Sequence, residues 1–256
     1  MYLTRPVHTP DFLSKYDIGI EYHITRHDAQ PNWEQYIPFV YGIHLPYSGR
    51  NLAALDDTLR RQSIESVKAT IDVGTQFPIN RMVMHSMGIH VKDGQVVGSY
   101  ERMIDGIAEL ADYAGQKNII LCIENQALHV PNMERFGTFA ADWLKIPVDV
   151  NRSNVLLTLD SSHAATAAAV LETAEERFAY LYQFLEHPEL IGRVHWSDSR
   201  LENNEAFMKD MHLIPGEGDL PLDFHRRIKA LPVVKTLEQS RPEEDMIRGL
   251  KFIESL

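Results

Sequence analysis

Imidazole and carboxylate side chains recur in this 256-residue chain at the ends of short apolar runs. These side chains are His44, His85, Glu124, Asp160, His163, His195, Asp198 and Glu238. Imidazole nitrogens and carboxylate oxygens are the usual protein ligands of zinc, manganese, iron and magnesium. Because burying so many carboxylates without cations would cost a large free energy, the pattern predicts a site for divalent metal, with zinc, manganese, magnesium and cobalt as candidates.

The stretch DMHLIPGEGDLP (210–221) adds two candidate ligands after the sixth apolar run. Asp210 and His212 lie two residues apart and are followed by a glycine-rich turn. We expect Gly216 and Gly218 to let the backbone turn sharply there and approach a ligand closely. The loop is therefore predicted to bring Asp210 and His212 to the same site as the ends of the runs.

Each of these residues also has a purely structural interpretation when it is taken alone. A single histidine at a strand end is more often a structural hydrogen-bonding group than a ligand, Glu124 could cap a loop, and Asp160 could be a helix N-cap. The recurrence of such residues at equivalent positions favours metal binding. Trp196 follows His195 and could form a wall of the site, whereas His225 is expected to face solvent from a helix.

The apolar runs are nearly continuous, which is typical of parallel strands buried on both faces, and they span 17–23, 39–47, 81–88, 118–126, 154–163, 191–199 and 232–240. Helical patterns span 55–74, 99–117, 169–185, 221–231 and 242–256, with Asp56 and Ser99 as N-cap candidates. This alternation predicts one α/β domain over residues 1–256, a single (β/α)8 TIM barrel of parallel strands with outer helices. MYLTRPV at the start would supply the eighth strand in an abbreviated first βα unit. An open doubly wound sheet is the alternative, although no GxGxxG follows the first run.

The overall composition is that of an acidic globular protein. The chain is 44% hydrophobic and 24% charged, and its net charge of -11 at pH 7 repels nucleic acid at long range. No apolar run approaches the ~18 residues of a membrane helix, and the first residues lack the apolar segment of a secretory signal. Cys122 is the single cysteine, which favours a reducing, cytoplasmic setting, and we expect it to lie inertly in the sheet core. His23 ends the first run without further matching context, so it is not included in the predicted site.

Five motifs together resemble the xylose isomerase-like TIM barrel superfamily, which includes sugar-phosphate isomerases, epimerases and endonuclease IV. The motifs are IENQ, LTLDSSHA, VHWSDS, DMHLIPGEGDLPLDF and LEQS. The similarity to the sugar epimerases implies one divalent metal held by Glu124, Asp160, His195 and Glu238. It also implies that Glu124 and Glu238 remove and return a proton next to the substrate carbonyl, while the metal stabilises an enediolate.

The similarity to endonuclease IV implies a larger set of ligands for three zinc ions. The residues in matching motifs are His44, His85, Glu124, Asp160, His163, His195, Asp210, His212 and Glu238. That set implies phosphodiester hydrolysis by a metal-activated hydroxide. The substrate-binding residues expected around either set are Tyr47, His163, Trp196, Asp198 and Arg200. The number of metal ions implied is thus one to three.

Two observations count against an enzyme that acts on DNA. The segment 22–42 is short and lacks a basic, DNA-wedging loop, and the GEG pattern is also found in isomerase-like members. We therefore predict a metal-dependent isomerase or epimerase of a small sugar or sugar phosphate. An endonuclease IV-like trinuclear zinc phosphoesterase is the alternative, and a metal-binding barrel with another reaction or no reaction is the third. The resemblance also admits a homo-oligomer.

Overall fold

The computed structural model describes residues 1–24, 33–128, 132–202, 210–239 and 241–256. The strands of this part of the chain are β1 (Tyr2–Thr4), β2 (Ile18–His23), β3 (Val40–His44), β4 (Arg81–His85), β5 (Ile89–Lys92), β6 (Gln95–Val96), β7 (Ile120–Glu124), β8 (Met133–Arg135), β9 (Val155–Asp160), β10 (Ile191–His195) and β11 (Val234–Leu237). Eight parallel strands close a barrel in the order β1-β2-β3-β4-β7-β9-β10-β11. The predicted (β/α)8 TIM barrel is therefore confirmed.

The N-terminal strand β1 closes the barrel. Tyr2 pairs with Lys235 of β11 on one side and with Ile18 of β2 on the other. The helix behind it, α1 (Pro10–Tyr16), has only 7 residues, and the side chain of Thr9 caps its first turn. MYLTRPV thus supplies the eighth strand, and the first βα unit is as short as predicted.

The other helices begin and end close to the predicted patterns at most positions. They are α2 (Asp57–Gly74), α3 (Tyr100–Gly115), α4 (Ala140–Val150), α5 (Ser161–Ala168), α6 (Ala174–Gln183), α7 (Leu222–Ala230) and α8 (Glu243–Ser255). The side chains of Asp56 and Ser99 accept hydrogen bonds from backbone amides in the first turns of α2 and α3. Both predicted N-caps are therefore confirmed.

Two helices were not predicted, and a third begins later than predicted. Pro147 lies inside α4 and masks its helical pattern. Every residue of α5 is buried, so its sequence SSHAATAA shows no apolar stripe opposite an exposed polar face that would reveal a helix. The helix predicted over 169–185 begins only at Ala174, because Thr173 and Glu176 form a capping box at that point.

Burial of the barrel strands on both faces explains the continuous apolar runs. Every residue of β2 and of β10 is buried, as expected for strands enclosed by helices outside and side chains inside. Cys122 on β7 is fully buried, and burial raises the pKa of its thiol to about 11, so the thiol is protonated at neutral pH. Within the described ranges, no helix is long and apolar enough to cross a bilayer.

A small antiparallel sheet of β5, β6 and β8 stands at one end of the barrel. β5 follows the end of β4, and β8 follows the end of β7, so both lie on the side where barrel strands end. This sheet was not predicted, because its strands have only 2 to 4 residues and none of these residues is buried. It adds a side wall to the face of the barrel where active sites are found in this fold.

Candidate metal centre

The predicted ligands lie at the carboxyl ends of the barrel strands. The last residues of β3, β4, β7, β9 and β10 are, in that order, His44, His85, Glu124, Asp160 and His195. Glu238 follows β11 directly, and His163 lies in the first turn of α5. Because parallel strands end on one face of the barrel, these side chains converge there.

Three adjacent groups of potential ligand atoms result from this convergence. The groups are His44, His85 and Glu124; Asp160, His163 and His212; and Glu124, Asp160, His195 and Glu238. Within each group the ligand atoms lie within 4.8 Å of one another. Glu124 and Asp160 each belong to two groups, and each has two oxygens, so either carboxylate can bridge neighbouring cations. These residues together with Asp210 are called the metal centre below.

Glu124 lies at the middle of the metal centre. Its Oε2 is 3.1 Å from His44 Nε2 and 3.2 Å from His85 Nε2, and its Oε1 is 3.0 Å from His195 Nδ1. Burial alone would raise the pKa of Glu124, but His195 and His85 beside it hold the pKa well below its usual value. The carboxylate is therefore ionised and available as a ligand.

Asp160 provides the test of whether the donors fit a cation. Its Oδ1 accepts a hydrogen bond from the backbone amide of His163 at 2.8 Å, so Asp160 is the N-cap of α5. Its Oδ2 is buried and accepts no hydrogen bond from any described residue, and the same is true of Asp210 Oδ1. Burial raises the pKa of Asp160 to about 6. A buried carboxylate oxygen without a donor is costly, and a divalent cation would satisfy it.

The loop after β10 reaches the metal centre, as the sequence predicted. Asp210 Oδ2 lies 3.3 Å from His163 Nε2 and makes a short contact with His212 Nε2. Burial lowers the pKa of His212, but Glu238 and Asp210 beside it raise the pKa to about 9. His212 has a φ of 43°, a left-handed conformation that is uncommon for a residue other than glycine. The loop thus holds His212 in an unfavourable conformation that directs its ring towards the carboxylates.

Glu21 was missed because it lies in the middle of β2 and not at its end. Its Oε1 is 2.8 Å from His195 Nε2, and its Oε2 accepts a hydrogen bond from the Thr236 hydroxyl at 3.1 Å. This contact leaves His195 Nδ1 facing Glu124 and Glu238, at 3.0 Å from each. A carboxylate behind a metal-binding histidine fixes the orientation of the ring. The sequence did contain a signal for Glu21, since it is a charged residue between the apolar residues of β2.

A cavity of about 180 Å³ opens on the metal centre. Its lining residues are Arg5, His23, His44, Tyr47, His85, Glu124, Arg135, His163, Asp210, His212 and Glu238. The prediction omitted Arg5, His23 and Arg135. Arg5 follows the end of β1 and forms a salt bridge with Glu238, and the ring of His23 stacks on His44 at 4.2 Å. His23 therefore belongs to the site, contrary to the interpretation of the sequence.

Three predicted substrate contacts lie elsewhere among the described residues. Asp198 accepts hydrogen bonds from backbone amides of its own loop, and its Oδ2 is 3.3 Å from His225 Nε2. Trp196 is fully buried and donates its indole N–H to His225 Nδ1, while Arg200 pairs with Asp219. His225 is thus buried, and the prediction that it faces solvent is wrong, because Trp196 and Asp198 both bind its ring.

Comparison with known proteins places the fold in a family. A sequence profile described as xylose isomerase-like TIM barrel matches residues 34–256. No curated protein sequence matches the chain.

Three solved structures illustrate the range of similar folds. A D-tagatose 3-epimerase-like protein is 17% identical with a TM-score of 0.66, covering 96% of this chain and 79% of its own. Endonuclease IV from Thermus thermophilus is 19% identical with a TM-score of 0.65, and the match covers 100% of this chain and 97% of the endonuclease chain. The IOLI protein with a binding zinc atom is 18% identical with a TM-score of 0.66, covering 96% and 87%. At these identities the likeness shows the fold alone.

Proposed function

Because the chain belongs to the xylose isomerase-like TIM barrel family, we propose that it is a metal-dependent hydrolase of phosphoesters in small molecules. The proposal is based on the three adjacent ligand groups, of which the group of Glu124, Asp160, His195 and Glu238 shares Glu124 with one neighbour and Asp160 with the other. A structural neighbour, endonuclease IV from Thermus thermophilus, supports a phosphoester as the bond that is broken.

The number of donors favours hydrolysis over isomerisation. An isomerase with one metal would use the group of Glu124, Asp160, His195 and Glu238 and leave the histidines of the other two groups without a role in metal binding. Two or more adjacent cations are typical of enzymes that cleave phosphoesters, where both the attacking and the leaving oxygen need stabilisation. Bound divalent cations would supply Lewis-acid polarisation of the phosphoryl group and a nucleophilic water at neutral pH.

Arg5 lines the cavity at the metal centre and would bind the negative charge of the phosphoryl group. Arg5 follows β1 and forms a salt bridge with Glu238, a member of the metal centre. A guanidinium presents several N–H donors in a plane, which suits phosphate oxygens. In this proposal Arg5 also keeps Glu238 ionised, since burial would raise the pKa of Glu238, while His195 and Arg5 lower it well below its usual value.

The proposed substrate is a small molecule and not duplex nucleic acid. The cavity of about 180 Å³ has room for a phosphoester and a small substituent. The net charge of -11 gives no long-range attraction for a polyanion. Part of the segment 22–42, whose length argued against DNA, lies outside the described residues. A single buried cysteine fits a reducing compartment, and we propose a cytoplasmic location on that basis.

Epimerisation or isomerisation of a carbohydrate is the second candidate. The group of Glu124, Asp160, His195 and Glu238 supports it, because it contains two buried glutamates that could remove and return a proton. Solved structures of similar fold include a D-psicose 3-epimerase and a 3-keto-D-glucoside 4-epimerase, which adds to this support.

The metal content and two activities separate these candidates. Protein purified without chelators is analysed by elemental mass spectrometry, and is then assayed with bis(para-nitrophenyl) phosphate and for deuterium uptake from D₂O into D-fructose. About three ions per chain with hydrolysis would support the proposal. About one ion per chain with deuterium uptake and no hydrolysis would replace it by the second candidate.

A matched pair of histidine substitutions tests the role of the loop after β10. His212→Ala should lower the metal content by about one ion and reduce hydrolysis, because it removes a member of the group with Asp160 and His163. His187→Ala is the control, since His187 is exposed and lies before the start of β10, at the opposite end of the barrel. Equal metal content in the two variants would contradict the trinuclear site.

A further inference from the structure

A second, smaller cavity adjoins the metal centre. It has a volume of about 40 Å³ and shares Tyr47, His85 and Arg135 with the larger cavity. Arg50 and Gln126 also line it. The two cavities are therefore neighbours, and the small one lies on the side of the antiparallel sheet.

Arg135 brings an uncompensated positive charge to this cavity. Its Nε contacts Met133 Sδ at 3.2 Å, and no carboxylate within the described ranges pairs with it. Burial is the largest influence on the Arg135 pKa and lowers it, and the opposing influence comes from Tyr47 and not from a carboxylate. A guanidinium has five N–H donors, so four of them remain for a ligand or solvent.

Arg50 is the second guanidinium of the cavity. It donates hydrogen bonds to the Ser66 hydroxyl and to the Ser48 carbonyl, and in the part of the chain that the structure describes it has no acidic partner. Other arginines of this acidic protein do have such partners, for example Arg61 with Glu109. Two guanidiniums without carboxylates on one cavity form a local positive site in a protein of net charge -11.

Hydrogen bonds connect the segments of the chain that carry Arg50 and Arg135. Asn51, next to Arg50, accepts a hydrogen bond from Ile89 N at 3.0 Å and donates one to Ile89 O at 3.1 Å. Ile89 is in β5 and pairs with Arg135 in β8. The backbone positions from which the two arginines extend are therefore connected through β5 by hydrogen bonds on both sides, which lowers the cost of ordering this part of the site on binding.

The size of the cavity restricts its ligand. One water molecule needs roughly 10–15 Å³ of cavity volume. The cavity of about 40 Å³ therefore holds about three water-sized atoms. The terminal oxygens of one phosphate group fill that space, whereas a sugar ring is too large for it. One guanidinium can donate two parallel hydrogen bonds to two phosphate oxygens. Two arginines on one small cavity are therefore suited to a single phosphate group.

We propose that the cavity between Arg50 and Arg135 binds a terminal phosphate of the substrate, separate from the phosphoester at the metal centre. The proposal rests on the proposed hydrolysis for its reaction, but the anion site itself can be tested without turnover. The substrate class is then a small phosphodiester that carries a second phosphate.

Two chromogenic probes test this specificity with the metal-loaded protein. One is para-nitrophenyl propyl phosphate, and the other carries a second phosphate at the end of the propyl chain. We expect kcat/KM for the two-phosphate probe to be higher by about tenfold or more, the size of one charge-assisted interaction. Arg135→Gln and Arg50→Gln should each reduce that preference, and Arg135→Lys should restore part of it.

Arg227→Gln is the matched control, because it removes the same charge from an exposed residue of α7 that pairs with Asp223. Equal rates for the two probes in the unmodified protein would overturn the phosphate site and leave the proposed hydrolysis standing. A preference that persists in both arginine variants would also overturn it.

If neither probe is hydrolysed, the proposed function fails and the anion site is decided by calorimetry. Inorganic phosphate is titrated into the metal-loaded protein, Arg135→Gln and Arg227→Gln. Binding about tenfold weaker in Arg135→Gln alone would support the site. Equal binding in all three proteins would overturn it.

Discussion

Loading the metal-free protein with zinc should release protons from a defined subset of the histidines. In the metal-free protein His163, His195 and His212 lie among carboxylates. Burial lowers the pKa of each, but the acidic neighbours raise it above the usual 6.5, to about 9 for His212. An imidazole must be neutral to bind a metal. At pH 7.5 each of these three histidines therefore carries about one proton that the metal must displace.

The same pKa values determine how strongly the stability of the metal-free protein and its zinc affinity depend on pH, and in which direction. For His212 the difference between about 9 and 6.5 corresponds to about 3 kcal/mol of interaction with its carboxylates. A raised pKa stabilises the metal-free fold below pH 6.5, and the stabilisation is lost as the pH rises through about 9. Zinc affinity should change in the opposite direction and increase with pH over the same interval. His85 is different, because burial lowers its pKa despite Glu124, so it should release no proton at pH 7.5.

Isothermal titration calorimetry in two buffers of different ionisation enthalpy measures the number of protons. We expect about three protons per fully loaded chain at pH 7.5 and fewer at pH 9.5. His212→Ala should lower the count by about one or two, because His163 belongs to the same group of ligands. His85→Ala should lower the zinc content but not the number of protons released, because the imidazole of His85 is already neutral at pH 7.5.

A binding enthalpy that is the same in both buffers would refute this reasoning. It would mean that the histidines are neutral in the metal-free protein and that the carboxylates beside them are ionised, so that the metal displaces no protons. Zinc affinity that falls between pH 7 and pH 9 would contradict it as well.

Three further substitutions separate chemistry from positioning. Glu238→Gln should abolish turnover and weaken metal binding, because it removes both a charge and a base; an active, fully loaded variant would reject that role. Glu21→Gln should weaken metal binding by about 10- to 100-fold through the lost carboxylate behind His195, measured by competition with a chelator, and unchanged affinity would count against it. Asp198→Asn should lower the free energy of unfolding in urea by about 2 kcal/mol, because the buried carboxylate accepts hydrogen bonds from His225 and from backbone amides; a higher KM with unchanged stability would return Asp198 to the substrate site.

The fold was predictable because its main signal is local. Each barrel strand is a short apolar run, and parallel strands inside a shell of helices require that pattern. The small sheet and α5 were missed for the opposite reason. β5, β6 and β8 are short and at least partly exposed, and α5 is buried on all sides, so neither shows the periodicity of its class.

The site was predictable where a residue's place on a strand fixes its place in the barrel. A residue that ends a parallel strand must lie at the mouth of the barrel, which is why His44 and Glu124 could be placed from the sequence. Arg135 could not be placed, because it reaches the cavity from a sheet outside the barrel. Asp198 satisfied the strand-end rule but turns away from the cavity, since backbone amides of its own loop surround its carboxylate.

That arrangement of Asp198 explains the stretch DMHLIPGEGDLP. Asp198 exchanges two backbone hydrogen bonds with Leu213, at 2.7 and 2.9 Å, directly beside His212. A Cβ atom at Gly218 would lie 2.1 Å from Asp198 Oδ1, so only glycine allows the loop to close on that carboxylate.

Asp198 therefore anchors the loop that carries two of the proposed ligands, Asp210 and His212. Because a cation that binds only the folded loop also stabilises it, metal binding at these ligands and loop folding must be thermodynamically linked. Loss of Asp198 should consequently weaken the group of Asp160, His163 and His212 more than the group around Glu124, whose residues lie on barrel strands.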